Sequence, residues 1–238
     1  MKAFPVLFRT EAKLALRGGD MLFFGVLFPV GVMLLVGFIS NPEAARLGFG
    51  GIASIGICAS GLMGLPLTLS GYRHAKILKR LKVTPVSPAQ LLLAVSGVQA
   101  VFAAISGLAV YLIARFAFGI DLEGTGLRYI LTFAFVLVSI FSLGYLIASL
   151  VPDTKTANIV CTVLYFPMLF LSGATLPYEI MPRGLQVFAE IFPLTQGIKL
   201  LKGAVLGTPI SSDFAKIAVL AGLAVVSYFV SLLTFRWE

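Results

Sequence analysis

Few residues in this chain belong to the types that perform covalent or metal chemistry. The sequence contains one histidine, His74, two cysteines, Cys58 and Cys161, and 10 acidic residues scattered along its 238 residues. A metal site needs several ligands of these types close together, and a membrane-embedded hydrolase needs a base or a metal ion. Both cysteines lie in apolar segments, which is typical of small core residues and not of a disulfide framework. The sequence therefore predicts no catalytic residue and no metal site.

The sequence also lacks the features of a protein that converts energy by itself. It has no G-x-x-x-x-G-K-[ST] motif, and we therefore expect no ATP hydrolysis by this chain. Its apolar segments hold essentially no ionisable residue at mid-length. Ion-coupled carriers and pumps usually place Asp, Glu, His or Arg there. These observations favour a membrane body that is driven by a separate cytoplasmic motor.

One stretch concentrates the positive charge. Residues 71–88 contain five basic side chains and His74 but no acidic residue. The basic residues are Arg73, Lys76, Lys79, Arg80 and Lys82. Long apolar segments flank this stretch, and loops rich in Lys and Arg between such segments are retained in the cytoplasm. The stretch is therefore predicted to be a cytoplasmic loop.

The same loop has the periodicity of an amphipathic helix. When residues 72–82 are projected at about 100° per residue, Ile77, Leu78 and Leu81 share one face. The proline-rich residues 84–88 would end this helix, because proline removes a backbone donor and restricts the preceding residue. The pattern indicates a docking helix whose apolar face enters a groove on a partner. The alternative is a solvated basic loop that only sets the topology.

The composition requires that these residues be positioned by membrane-spanning helices. The chain is 59% hydrophobic and 12% charged, whereas soluble domains are about a quarter charged. Its formal net charge is +8, but the basic residues lie in one loop and at the ends of apolar segments. This distribution favours contact with anionic lipid over binding of nucleic acid. The fold class predicted is all-α integral membrane, as a single transmembrane domain over residues 1–238.

Six spans are predicted from the apolar segments, with both termini in the cytoplasm. The spans are residues 21–39, 48–70, 89–114, 127–151, 157–174 and 214–235. More than half of the 18 Lys and Arg residues then lie in the inner segments, as the charge rule for membrane topology requires. Within the second span, Gly56, Ser60 and Gly64 are four residues apart, which predicts a ridge of small residues that another helix can approach closely.

Two further segments are apolar but are not predicted to be ordinary spans. Residues 1–20 alternate apolar and basic side chains, which is typical of an amphipathic helix on the cytoplasmic membrane surface. Residues 183–206 contain two apolar stretches on either side of Pro193, each too short for a bilayer of ~30 Å. They are predicted to form a re-entrant helical hairpin on the outer side. The alternative is a single broken span.

Three stretches resemble a known family. They are Leu78-Lys79-Arg80-Leu81-Lys82-Val83-Thr84-Pro85-Val86-Ser87-Pro88, Phe170-Leu171-Ser172-Gly173-Ala174-Thr175-Leu176-Pro177, and Phe192-Pro193-Leu194-Thr195 followed by Lys199, Lys202 and Gly203. In this order they resemble the coupling-helix loop, the end of the fifth span and the outer hairpin of type-two ABC exporter permeases of the bacterial daunorubicin-resistance-like type. The chain departs from the family at residues 73–77, where the family often has an acidic residue and then Gly-Thr.

The resemblance implies partners and site residues. It implies two permease chains, expected to form a homodimer, and two copies of a separate cytoplasmic ATPase that holds ATP and Mg²⁺, with no cofactor in this chain. The residues it places at the ATPase contact are Arg73, His74, Lys76, Ile77, Leu78, Lys79, Arg80, Leu81, Thr84 and Pro85. It also implies that the second and fifth spans line the pathway. The candidates there are Ser60, Met63, Asn158, Thr162, Phe166 and Phe170, for which ordinary helix packing is the alternative.

Three functions are compatible with these residues and with the resemblance. The first is export of a hydrophobic, drug-like or antibiotic-like compound outward across the bacterial cytoplasmic membrane. The second is export of lipid or lipid-linked glycan by the same machinery. The third, from another class, is a membrane anchor for a cytoplasmic partner without transport. Membrane lipid is an expected partner in each case, and nucleic acid is not.

Overall fold

The computed structural model describes residues 3–77, 87–120, 123–175, 178 and 181–234. Within these ranges all regular secondary structure is helical. Six of the helices in these ranges are long and apolar enough to cross a membrane. The predicted fold class, an all-helical membrane protein with six spans, is confirmed.

Nine helices define the architecture of the described residues. They are α1 (Ala3–Gly18), α2 (Asp20–Ile39), α3 (Pro42–Cys58, Ala59–Gly64 and Leu65–His74 in one continuous helix), α4 (Pro88–Phe118), α5 (Gly126–Leu150), α6 (Thr154–Leu171), α7 (Arg183–Ala189), α8 (Pro193–Val205) and α9 (Phe214–Thr234). A 3₁₀ turn at Ile210–Asp213 precedes α9. The candidate spans lie in α2, α3, α4, α5, α6 and α9.

At two of the span ends, the helix boundary follows a capping residue and not the change in hydropathy. The second span was predicted at residues 48–70, but α3 already begins at Pro42, because the side chain of Asn41 accepts a hydrogen bond from the Ala44 amide at 2.8 Å. The third span was predicted to end at residue 114. It continues to Phe118 and ends at Gly119, whose φ of 64° is the left-handed conformation that glycine adopts easily.

Two helices contain a π-helical turn that ends two residues before a proline. In α2 the turn is Phe23–Leu27 and Pro29 follows it, and in α3 the turn is Ala59–Gly64 and Pro66 follows it. A proline ring clashes with the carbonyl group four residues earlier, and proline has no backbone N–H group to donate to that carbonyl. The wider π-helical turn accommodates this clash without ending the helix.

Helix α3 is the centre of the bundle. It contacts α2, α4, α5, α6 and α8, and it is the most buried of the six candidate spans. Where α3 faces α4, two glycines of the predicted ridge of small residues allow the two helices to approach closely. A Cβ atom at Gly56 would lie 2.4 Å from Oγ of Ser106, and a Cβ at Gly64 would lie 2.4 Å from Oε1 of Gln99. Glycine at these two positions therefore allows α4 to pack directly against α3.

The segment between the fifth and sixth spans contains two short helices, as the sequence predicted. Helices α7 and α8 are separated by a turn that ends at Pro193, and α8 packs against α3, α5 and α9. Glu190, in the turn, accepts hydrogen bonds from Tyr178 at 2.6 Å, from Gln196 at 2.8 Å and from Lys199. These bonds tie the turn to α8. That the pair forms a re-entrant hairpin stays a prediction.

Candidate transport cavity and coupling segment

The residues before the predicted docking helix belong to the second span. Helix α3 continues through Tyr72 and Arg73 to His74, and Lys76 follows with a φ of 56°. A left-handed residue at this position ends the helix. The predicted docking helix therefore does not begin at Tyr72. Leu78, Lys79, Arg80, Leu81, Thr84 and Pro85 lie outside the described residues, and their role at an ATPase contact stays a prediction.

Arg73 forms hydrogen bonds within the helical bundle of its own chain. Its guanidinium group donates hydrogen bonds to the carbonyl oxygen of Ala148 at 2.9 Å and to that of Val151 at 2.6 Å. These carbonyls are at the C-terminal end of α5, where the helix has no backbone donor for them. Arg73 thus fixes the end of α3 to the end of α5. Of the other described members of the predicted ATPase contact, His74 and Lys76 are exposed and Ile77 is half-buried.

A cavity of about 650 Å³ lies beside this end of α3. Its walls come from α1, α2, α3, α4 and α6 and from Ala75 and Ile77. The lining residues are mostly apolar, and they include Phe24, Met63, Leu67, Val95, Val98 and Phe166. A cavity of this size is within the range that holds drug-sized molecules.

The structure brings together part of the predicted pathway. Met63, Asn158 and Phe166 line the cavity. Ser60 is fully buried inside the bundle, and Thr162 is half-buried away from the cavity lining. Phe170 is 46% exposed and stacks on Phe166, with ring centroids 6.3 Å apart. Transport roles for all six residues stay predictions.

Two polar side chains in the cavity wall have an unpaired atom. Gln99 of α4 is 4% exposed, and its Oε1 has no hydrogen-bond partner in the described part of the chain. The hydroxyl group of Tyr165 on α6 is likewise buried without a partner within those ranges. Neither residue was predicted from the sequence. Gln99 could have been singled out from the sequence, because an amide side chain in the middle of an otherwise apolar span is rare unless it has a functional role.

The cavity also contains a buried carboxylate. Glu11 of α1 is 8% exposed, and its Oε2 accepts a hydrogen bond from the hydroxyl of Tyr72 at 2.6 Å. Among the residues that the structure describes, no Lys, Arg or His lies within ion-pair distance of it. Burial raises the pKa of Glu11 above its ordinary value, and the hydrogen bond from Tyr72 lowers that pKa by less. The folded protein therefore carries a carboxylate in an unfavourable environment.

We expect the variant Glu11→Gln to stabilise the protein at alkaline pH. Because the pKa of Glu11 is higher in the folded than in the unfolded protein, its contribution to stability is present at acidic pH and is lost as the pH rises through the folded-state pKa. Glutamine keeps an acceptor for Tyr72 and removes the buried charge. The thermal midpoint of the variant in detergent should exceed that of the wild type by about 2–4 °C near pH ~8 and by almost nothing near pH ~4.

The matched control is Glu43→Gln, which removes the same charge from an exposed position at the start of α3. It should not raise the midpoint at either pH value, because a carboxylate in the first turn of a helix is stabilising. A Glu11→Gln variant that is less stable than the wild type at alkaline pH would contradict the assignment of Glu11 as an unfavourably buried carboxylate.

Comparison with known proteins gives the family. The sequence model of the ABC-2 type transporter family matches residues 2–206. Nodulation protein J of Rhizobium leguminosarum bv. viciae is 37% identical over 90 residues, which is 38% of this chain and 35% of that protein. Nodulation protein J of Neorhizobium galegae is 27% identical over 216 residues, which is 90% of this chain and 80% of that protein.

A third relative carries the word transport in its name. The inner membrane transport permease YhhJ of Escherichia coli (strain K12) is 24% identical over 166 residues, which is 67% of this chain and 44% of that protein. The chain thus covers about a third of the Rhizobium leguminosarum protein and less than half of YhhJ. The family match, in contrast, extends over most of this chain and includes the basic loop of residues 71–88, the residues that line the cavity and both short helices. The chain is therefore a membrane protein that belongs to the ABC-2 type transporter family.

Proposed function

We propose that this chain is the permease subunit of an ATP-driven exporter and that it moves a hydrophobic, drug-like or antibiotic-like compound outward across the bacterial cytoplasmic membrane. The observation that carries the proposal is the apolar cavity of about 650 Å³ between α1, α2, α3, α4 and α6. A membrane anchor needs no such cavity, whereas a transport subunit needs a place for its substrate. Membership of the ABC-2 type transporter family supports the same conclusion.

The energy for transport is supplied by a separate ATPase. Two copies of this ATPase would bind ATP and Mg²⁺ on the cytoplasmic side and would contact residues 73–85 of two permease chains. The bias of Lys and Arg toward residues 1–20 and 71–88 supports an orientation with both termini in the cytoplasm. Arg73, which bonds to the carbonyl groups at the end of α5, would transmit movement of the coupling segment to the bundle.

Reconstitution in liposomes tests this function. The chain, together with the ATPase that co-purifies with it, should accumulate the hydrophobic dye Hoechst 33342 in inside-out vesicles when ATP and Mg²⁺ are added. The chain alone should neither hydrolyse ATP nor accumulate the dye, because it has no phosphate-binding loop. ATP turnover by the purified chain would contradict the proposal.

The same vesicles separate the alternative substrates. ATP-dependent flipping of a fluorescent phosphatidylethanolamine without accumulation of the dye would favour export of lipid or lipid-linked glycan. A chain that binds the ATPase but moves neither compound, and whose presence does not change the rate of ATP turnover, would favour a membrane anchor.

A further inference from the structure

The ionisable side chains among the described lining of the cavity are acidic, although the chain as a whole is basic. The chain has a formal net charge of +8, yet the described residues that line the cavity include two acidic residues, Glu11 and Asp20, and no Lys, Arg or His. Glu11 is buried, whereas Asp20 is exposed. The described part of the lining therefore combines a mostly apolar wall with two acidic side chains.

Helix α1 contributes an acidic but no basic side chain to the cavity, because these side chains lie on different faces of the helix. At about 100° per residue, Leu14, Ala15 and Gly18 lie within roughly 60° of Glu11 on the helix surface, and all three line the cavity. Lys13 and Arg17 lie roughly 120° or more from Glu11, and neither of them lines the cavity. Helix α1 thus presents a carboxylate to the cavity and keeps its positive charges on another face.

Glu11 has only part of the environment that a buried carboxylate needs. Its one hydrogen-bond donor is Tyr72, and it has no cationic partner among the described residues. Buried charges in proteins are normally paired, because transfer of an unpaired charge from water is unfavourable. A positive group of a ligand beside Glu11 would supply the missing partner.

The rest of the wall suits the body of such a ligand. The aromatic rings of Phe24, Tyr72, Tyr165 and Phe166 line the cavity, and aromatic faces attract organic cations. Gln99, which is 4% exposed and has an Oε1 atom without a partner in the described ranges, adds an acceptor that a ligand N–H or O–H group could use. Carboxylate, aromatic rings and amide are contributed by different helices, so that the site exists only in the folded bundle.

We propose that this cavity binds a lipophilic cation, with the positive group beside Glu11 and the apolar body against Phe24 and Phe166. The inference rests on the proposed function, because it names the chemical class of the exported compound. It assigns selectivity for charge to α1, a helix outside the candidate spans. The binding step needs neither ATP nor the ATPase.

The test measures binding of tetraphenylphosphonium to the purified chain in nanodiscs of phosphatidylcholine, with empty nanodiscs as the blank, at about pH 8, which is well above the ordinary pKa of a glutamate. Tetraphenylborate serves as the size-matched anion. The wild type should bind the cation saturably, and the anion should not displace it. Equal displacement by tetraphenylborate and by unlabelled tetraphenylphosphonium would overturn the inference, and this arm does not depend on any variant.

Three variants test which acidic side chain interacts with the bound cation. Glu11→Gln should weaken binding of tetraphenylphosphonium by about tenfold or more, because an ion pair in a partly buried site contributes several-fold more than one in water. Asp20→Asn should weaken it by about two- to threefold, because an exposed charge is screened by solvent and salt. Glu43→Gln, at an exposed position that does not line the cavity, should bind like the wild type. Unchanged binding by Glu11→Gln would overturn the inference.

The outcomes distinguish this inference from the proposed function. A chain that binds tetraphenylphosphonium through Glu11 but shows no ATP-dependent transport with its ATPase would contradict the proposed function alone. A chain that exports Hoechst 33342 but does not bind tetraphenylphosphonium would contradict the lipophilic-cation site alone.

Discussion

Changing Leu78 and Leu81 together to alanine should abolish co-purification of the ATPase while the permease still inserts in the membrane. The two residues form the apolar face of the predicted docking helix together with Ile77. Burial of a leucine side chain in a partner's groove contributes roughly 1.5–3 kcal/mol. Loss of both should therefore weaken the complex by about 100-fold or more. The measurement is the amount of ATPase that co-purifies with each variant at matched expression.

The control is the double variant Lys79→Gln and Lys82→Gln. Exposed ion pairs contribute about 0–1 kcal/mol each, so that this variant should retain most of the ATPase. Arg73, Lys76 and Arg80 remain to keep the loop in the cytoplasm. If the leucine variant bound the ATPase normally and the lysine variant did not, the segment would act as an electrostatic patch or as a topology signal, and the docking helix would be wrong.

Gly144→Ala should destabilise the protein by about 3 kcal/mol. Gly144 is in α5, and a Cβ atom there would lie 2.1 Å from the carbonyl oxygen of Gly61 in the π-helical turn of α3. A backbone oxygen in a central helix cannot move aside as a flexible side chain can. The extra methyl group must therefore displace α5 from α3, and the contacts around Ile140 and Leu65 would be lost with it. The loss should appear as a lower thermal midpoint in detergent.

Gly222→Ala is the matched control for Gly144→Ala. Gly222 is in the middle of α9, and a Cβ atom there would meet nothing within 4 Å among the described residues. Alanine is the better helix former by about 1 kcal/mol, so that this variant should be as stable as the wild type or more stable. Equal midpoints for the two variants would contradict the close backbone contact between α3 and α5.

Several features of the protein follow directly from the sequence. The six apolar segments predict six spanning helices, because a backbone in lipid must satisfy its own hydrogen bonds and a helix does so within one segment. The two short helices on either side of the turn at Pro193 were also predictable, since each apolar stretch is too short to cross a bilayer and proline is tolerated in the first turn of a helix. The ridge of Gly56 and Gly64 was readable as a site of close helix approach, although the sequence did not say which helix approaches.

The ends of the helices were less predictable. Hydropathy placed the start of the second span at residue 48, but Asn41 and Pro42 start the helix earlier, because capping is local and does not depend on hydropathy. At the other end, the predicted docking helix included Tyr72 and Arg73, which belong to α3. From the sequence, Arg73 was predicted to be a basic residue of the cytoplasmic loop. In the structure it donates hydrogen bonds to the carbonyl groups of Ala148 and Val151.

The cavity was decided by the tertiary structure alone. The sequence by itself determined the membrane class, the number of spans and the location of the basic segment, because these depend on composition and on periodicity along one helix. It could not determine that Glu11 of α1 meets Tyr72, 61 residues later in the chain, or that Gln99 and Asp20 line the same cavity. Whether a carboxylate loses its water depends on which helices pack around it, and that packing joins residues that are far apart in the sequence.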